Sequence, residues 1–413
     1  MTRHIESLAR TRDRWQLIHW LRVMLVILTM PMILTGCATL KREAAVPQAQ
    51  TTLADPGFGR IRFMVTRDVA PFAEEAISAQ KKELAYLASQ GHIGPLPPAS
   101  YLAISGGGDN GAFGAGLLNG WTASGTRPSF KVVTGISTGA LTAPFAFLGP
   151  DYDKQLTEVY TTITQADIMK KRGLIKGMFS DGMADTTPLM QLVRRFVDKP
   201  LLDAIAAEYG KGRLLLVATT DLDTLEPVVW NMTALAASPD PGAPELFRRV
   251  LVASASIPGI FPPVMINVSV NGVAHQEMHA DGGTVAQVFF YPPSLRSIAG
   301  NELQQRKRTL YVIRNARLDP DWADVERKTM TIAMRALSSL TQTQGIGDLY
   351  RIYTTTQRDD IAFNLAYIPK SFNHPHLEEF DKAYMQALYA TGEKMGLAGY
   401  PWQSSPPGFD ALP

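Results

Sequence analysis

The chain has a single cysteine, Cys37, in 413 residues. That excludes an internal disulfide framework and any cysteine-built structural zinc site. A surplus of one charge is missing too: 40 Lys and Arg stand against 38 Asp and Glu, with no long basic run. A dedicated nucleic-acid binder needs a basic face to neutralise phosphates, so no nucleic-acid partner is expected. The main apolar run, Val23–Leu34, falls short of the ~20 residues of a spanning helix and contains Pro31. What is present is 46% hydrophobic residues, enough for a large core in a chain too weakly charged to stay disordered.

Residues 1–22 carry Arg3, Arg10, Arg12, Arg14 and Arg22 against Glu6 and Asp13, and the short apolar run follows. A basic region, an apolar core and then small residues form the pattern of an export signal. The segment Leu34-Thr35-Gly36-Cys37 resembles the lipobox of bacterial lipoproteins. The resemblance implies cleavage after residue 36 and a diacylglycerol on Cys37, hence a lipid anchor in a bacterial membrane. Two or more acyl chains suffice for stable anchoring, at ~0.8 kcal/mol per buried methylene. By resemblance to the sorting rule of such lipoproteins, Ala38 in place of the aspartate of inner-membrane retention implies the outer membrane, facing the periplasm. Loss of residues 1–36 leaves a formal charge of −1, so headgroup electrostatics would add little to the anchor.

Residues 37–59, rich in Ala, Gln, Thr and Pro, read as the lipidated cysteine and a flexible tether. Residues 60–400 contain no linker and read as one catalytic domain, with 401–413 as a C-terminal tail. Short apolar strands at 101–105, 130–134, 213–219, 228–230, 264–270, 309–314 and 361–368 alternate with helical stretches. Such alternation predicts an α/β fold with a mainly parallel sheet.

The strand at 101–105 ends in Ser105-Gly106-Gly107-Gly108-Asp109-Asn110-Gly111, ahead of a helix. Glycines allow positive φ and let backbone N–H groups converge on an anion, either a phosphate or a developing oxyanion. A dinucleotide site needs an acidic residue about 20 positions on, to hold the ribose. Residues 112–149 contain no Asp or Glu, which disfavours a nucleotide cofactor; no cofactor is expected. Next comes Gly135-Ile136-Ser137-Thr138-Gly139 between a strand and a helix. In a nucleophile elbow of this GxSxG kind the turn is too tight for flanking side chains, and the serine oxygen projects above the sheet.

A serine nucleophile needs a base. Two schemes fit the residues. In one, an acid and a late histidine, His374 or His376, follow Ser137. In the other, Asp281 of His279-Ala280-Asp281-Gly282-Gly283 acts alone, which requires burial to raise its pKa from ~3.9.

Four motifs in order, the glycine loop 105–116, GISTG at 135–139, Ala253–Pro263 and Asp281-Gly282-Gly283, resemble the patatin-like phospholipase family. The resemblance implies a three-layer α/β/α sandwich and a Ser-Asp dyad that hydrolyses membrane lipid acyl esters. It assigns Ser137 as nucleophile, Asp281 as base, and the amides of Gly106, Gly107 and Gly108 as oxyanion hole. Gly111, Gly135, Gly139, Gly282 and Gly283 are the supporting motif positions. Ala253–Pro258 would shape the wall of the site. Asn110 stands where the family often carries a basic residue, and the apolar stretch Thr284–Pro292 is expected to line the acyl channel. Acyl transfer to an acceptor other than water, and a non-catalytic acyl-binding lipoprotein, are the rival functions.

His275, Glu277, His279 and Asp281 alternate and would share one strand face. Their spacing does not match HExxH, and no metal site is expected. His279 is expected to support Asp281 from behind. Asp221 and Asp223 read as a turn. Leu174–Phe179 reads as a buried packing segment, with a mobile lid as the alternative. The sequence leaves the oligomeric state open.

Overall fold

The structure, a computed structural model, describes residues 19, 20, 24, 42–173, 180–300, 303, 306–320 and 322–409. Cys37 and Leu174–Phe179 lie outside the described residues. In chain order the elements are β1 (Arg62–Met64), α1 (Val69–Ser89), β2 (Ala99–Ile104), α2 (Gly111–Ala123), β3 (Phe130–Gly135) and α3 (Thr138–Leu148). A small ribbon of β4 (Lys170–Lys171) and β5 (Ala184–Asp185) precedes β6 (Leu214–Asp221), β7 (Glu226–Asn231), α4 (Ala243–Ser254), β8 (Val264–Val270) and β9 (Val273–Asp281). Then come β10 (Arg308–Arg314), α5 (Thr329–Arg358), β11 (Ala362–Tyr367) and α6 (Lys382–Leu397).

Strands β11, β10, β2, β3 and β6 lie side by side and parallel, and β7 and β1 extend that sheet antiparallel. Every residue of β6 is buried, because helices cover both faces of a parallel sheet. The period of two divides its side chains between layers. Leu215 and Val217 join the core made with Phe113 of α2, Phe147 of α3, Phe247 of α4 and Leu388 of α6. Leu214 and Leu216 face Phe72 and Ala79 of α1 on the other side. Three layers result, α/β/α. Among the described residues, no helix is long and apolar enough to cross a membrane.

One feature of the register brings distant sequence together. β3 pairs with β6 as far as Gly135 against Val217. Beyond that point the chain of β3 turns away, and β9 arrives antiparallel to take up the free edge, with Asp281 against Thr219. The end of β9 therefore meets the end of β3 along β6.

Two expected boundaries change. Residues 42–56 are not a free tether: Arg42 pairs with Asp223, Gln276 N–H donates to Ala44 C=O at 3.1 Å, and Asp55 bridges Ser269. The polar composition hid backbone groups that β8 and β9 satisfy. Nor is 401–409 a loose tail, because Trp402 packs 4.8 Å from Trp121 and Gln403 pairs with Leu365 of the edge strand.

Candidate active site

Ser137 has φ +55° and ψ −126°, a conformation rare outside glycine that costs on the order of 1–3 kcal/mol. The elbow persists because its surroundings over-determine it. A Cβ on Gly135 would lie 2.4 Å from the Gly139 carbonyl oxygen, and one on Gly139 2.4 Å from that of Ile104. The Ser137 N–H donates to Ser254 Oγ at 3.0 Å, and that hydroxyl donates to the Ala218 carbonyl at 2.7 Å. Behind the turn, the Tyr160 hydroxyl joins those of Thr138 at 2.6 Å and Thr142 at 2.8 Å, bracing the first turn of α3. The positive end of α3 is aimed at the turn that carries the serine.

The glycine loop is clamped by Asn315, at the end of β10. Its backbone N–H donates to Ser105 Oγ at 2.8 Å, its Nδ2 to the Ser105 carbonyl at 3.0 Å, and its Oδ1 accepts from Gly114 N–H at 3.1 Å. Gly107, at φ +154°, sits so close to this residue that a Cβ would lie 2.3 Å from its carbonyl oxygen. Gly106, expected among the oxyanion donors, instead gives its N–H to the Gln287 carbonyl at 2.9 Å. That bond fixes the loop and removes the amide from the anion site. The amides of Gly107 and Gly108 donate to no acceptor among the described residues.

Asp281 is held by both neighbouring segments. Its N–H donates to the Ser256 carbonyl at 2.9 Å, and its Oδ1 accepts from Gly283 N–H at 2.6 Å. Gly282 lets the chain pass β6, where a Cβ would meet the Ala218 carbonyl oxygen at 2.5 Å. Oδ2 is buried and has no hydrogen-bond partner. Burial pushes the carboxyl up to about 7, and the nearby Ser137 hydroxyl and the Gly283 amide offset only part of that rise. A hydroxyl beside this carboxylate without a fully formed hydrogen bond is the loose arrangement common before substrate tightens a site.

Ser137, Asp281 and Gly106–Gly108 line one pocket of about 640 Å³, whose far wall is Met334, Leu337 and Leu340 of α5. Thr284 lines it as well. Gln287 does too, but the rest of the stretch expected along the acyl channel, Val285, Ala286 and Val288–Pro292, lines a separate cavity of about 360 Å³ behind Ile136 and Gly282. Among the described residues no histidine hydrogen-bonds Ser137. His376 pairs with Asp109 at 2.7 Å and His374 with the Pro375 carbonyl at 2.9 Å. His279, expected behind Asp281, contacts Thr219 at 2.9 Å and Glu277 at 3.3 Å instead. Asp221 closes a turn through Asp223 N–H and the Thr224 hydroxyl, as its sequence suggests. Asn110 accepts from the Tyr384 hydroxyl at 2.6 Å.

Asn315 and Gln287 have no separate signal in the sequence, since a lone amide belongs to no motif. Ser254 and Ser256 fall within the Ala253–Pro258 segment expected to shape the wall.

Residues 102–292 match the family described as patatin-like phospholipase. No curated protein matches the chain. Among solved structures, VipD from Legionella pneumophila is 10% identical with a TM-score of 0.35, over 73% of this chain and 67% of that one. The type III effector protein ExoU is 13% identical with a TM-score of 0.29, over 74% and 54%. Human GIVD cytosolic phospholipase A2 is 10% identical with a TM-score of 0.28, over 66% and 50%. This chain thus spans about two thirds of the first and about half of the other two.

Proposed function

From the premise that residues 102–292 are a patatin-like phospholipase domain, that of a lipid ester hydrolase, we propose that Ser137 and Asp281 act as its catalytic dyad on phospholipid acyl esters. The observation that carries this reading is the buried Asp281 carboxyl, raised to about 7, with one oxygen unpartnered beside the strained serine. A carboxylate at its ordinary pKa is a poor base for an alcohol. One that ionises near neutrality is matched to the task.

In the proposed cycle Ser137 Oγ attacks the ester carbonyl and its proton passes to Asp281. The amides of Gly107 and Gly108 stabilise the oxyanion. The proton then goes to the departing alcohol oxygen, leaving an acyl-serine. Water, deprotonated by Asp281, attacks that ester; the fatty acid leaves and the serine recovers its proton. Losing one oxyanion donor of this kind typically costs ~10²–10³ in turnover.

The test is hydrolysis of phosphatidylcholine by the wild type beside Ser137→Ala, with fluorophosphonate labelling of each. Wild type should release fatty acid and take the label, and Ser137→Ala should do neither. A folded wild type that takes no label and releases nothing would favour an acyl-binding role. Supplying a lysolipid acceptor separates hydrolysis from acyl transfer.

The anchor is proposed on the lipobox resemblance alone, with the protein lipidated at Cys37 in the outer membrane of the cell envelope. Incorporation of labelled palmitate that persists in Cys37→Ala would overturn it.

A further inference from the structure

Helix α5 begins outside the body of the protein. Of residues 329–340, only Thr331 and Arg335 are as much as partly covered among those described, although the sequence there is Thr-Met-Thr-Ile-Ala-Met-Arg-Ala-Leu-Ser-Ser-Leu. Ile332 is 53% exposed and Leu340 68%, with Met334 and Leu337 also open to solvent. Between Thr329 and Gly347 the helix has one charged side chain, Arg335, and it is cationic. The apolar side chain of Leu377 is exposed too, two residues from Glu379, which lines the same pocket. Exposed apolar groups gathered in this way mark an interaction surface, whereas single ones need no explanation.

Met334, Leu337 and Leu340 do two things at once. They form the wall of the pocket that holds Ser137, and they lie on the outer surface. Whatever covers this helix therefore covers the mouth of the pocket. A protein partner seated there would close it against substrate. A lipid surface would supply it. We propose that the first three turns of α5, together with Leu377, dock into a phospholipid bilayer with the pocket mouth facing the lipids. The surface lies beyond residues 102–292, so it is not a part of the matched domain. The inference rests on the lipid ester hydrolase reading for its orientation, and its test is chosen to stand apart from catalysis.

The full chain, carrying Cys37→Ser and Ser137→Ala, receives one environment-sensitive fluorophore on a new cysteine at Ile332, Leu377 or Ile93. Ile93 is 96% exposed in the loop before β2, at the opposite end of that strand from the pocket, and serves as control. With vesicles of phosphatidylcholine and phosphatidylglycerol, probes at 332 and 377 should shift to the blue and brighten by roughly twofold or more, and the probe at 93 should not. The readout does not depend on where else the chain is anchored. Unchanged emission at 332 and 377 on bound protein overturns the proposal. A shift that appears without vesicles and grows with protein concentration overturns it in favour of a second copy of the chain.

The second arm uses the otherwise wild-type enzyme with Ile332→Glu and Leu377→Glu, neither of which lines the pocket. Hydrolysis of vesicle phospholipid should fall at least about tenfold, since burying one side chain of this size is worth roughly that factor or more. Hydrolysis of soluble p-nitrophenyl butyrate should hold. Equal loss on both substrates overturns docking. A wild type inactive on both would defeat the catalytic reading, while the fluorescence arm would still decide the surface.

Discussion

Glu277 and Asp281 lie four residues apart on β9, on the same face, 2% and 3% exposed. Burial pushes both carboxyls up. For Glu277 that push is outweighed by the contact from His279 and the ion pair with Arg62, which bring it down to about 2. Asp281 has no cation, only a hydroxyl and an amide, and stands at about 7. Equal depth thus gives opposite outcomes, and the partners decide. Glu277 is a carboxylate tied into structure; Asp281 is one left able to exchange a proton.

The sharpest way to break this contrast is to neutralise each in turn. Asp281→Asn should lower kcat by about 10²–10⁴-fold, the usual worth of a positioned base. Glu277→Gln should leave kcat within a few-fold of wild type but cost about 3–5 kcal/mol, because Arg62 stays buried without its counter-charge. Turnover assays and denaturant unfolding of both variants check this. A Glu277→Gln enzyme that is stable but inactive would reverse the two roles.

Stability against pH should sharpen the same contrast, since the two shifts have opposite sign. Asp281 binds its proton more tightly folded than unfolded. Its contribution is complete below its unfolded value and is lost as pH rises to about 7. Glu277 contributes above its unfolded value, and that contribution is lost as pH falls toward 2. Asp281→Asn should therefore raise Tm at pH 8 and bring no such gain at pH 4. The catalytic counterpart is a wild-type kcat/KM that climbs with pH through an inflection near 7, where the base ionises. A flat profile from pH 5 to 8 would remove Asp281 as the base.

The same contrast shows what the sequence could carry. The elbow and the Asp281-Gly282-Gly283 turn were legible because glycine spacing reports directly on room for a side chain. The strands of the parallel block were legible as apolar runs, and β8 ran from 264 to 270 as expected. The register of β9 on β6 was not, because strand pairing depends on partners some sixty residues away, with no local trace. Nor was the occupied amide of Gly106, since the loop reads the same whether an amide points at an anion or at Gln287. The N-terminal segment misled for a related reason: polar composition describes side chains, while β8 and β9 hold residues 42–56 largely through backbone groups, with Arg42 paired to Asp223 in the turn after β6.

A smaller effect tests the support beneath the serine. Ser254 is fully buried and bridges the Ser137 amide and the Ala218 carbonyl. Ser254→Ala leaves both without a partner, at about 1–3 kcal/mol. If part of that loss falls on the elbow, kcat drops by about tenfold while KM and the inflection near 7 are unchanged. A shifted inflection would mean that the variant disturbs Asp281 as well as the nucleophile.

The smallest effect is expected where the rival base was sought. His376 donates to Asp109, which also accepts from Phe380 N–H at 2.9 Å, and its ring stacks on Tyr384 at 4.3 Å. These contacts tie residues 376–384 to the glycine loop and commit Nε2 of the ring to Asp109. His374→Ala with His376→Ala should then change kcat by less than about threefold, against the 10²-fold or more of a lost base. The contact with Asp109 raises the pKa of His376 above its ordinary value. Its contribution to stability is therefore complete in acid and fades as pH rises through that raised value. Any deficit of the double variant should appear as a lower Tm at pH 5 that shrinks by pH 9. A catalytic base would show the reverse signature: an unchanged Tm, and a rate lost at the high pH where a neutral imidazole is needed.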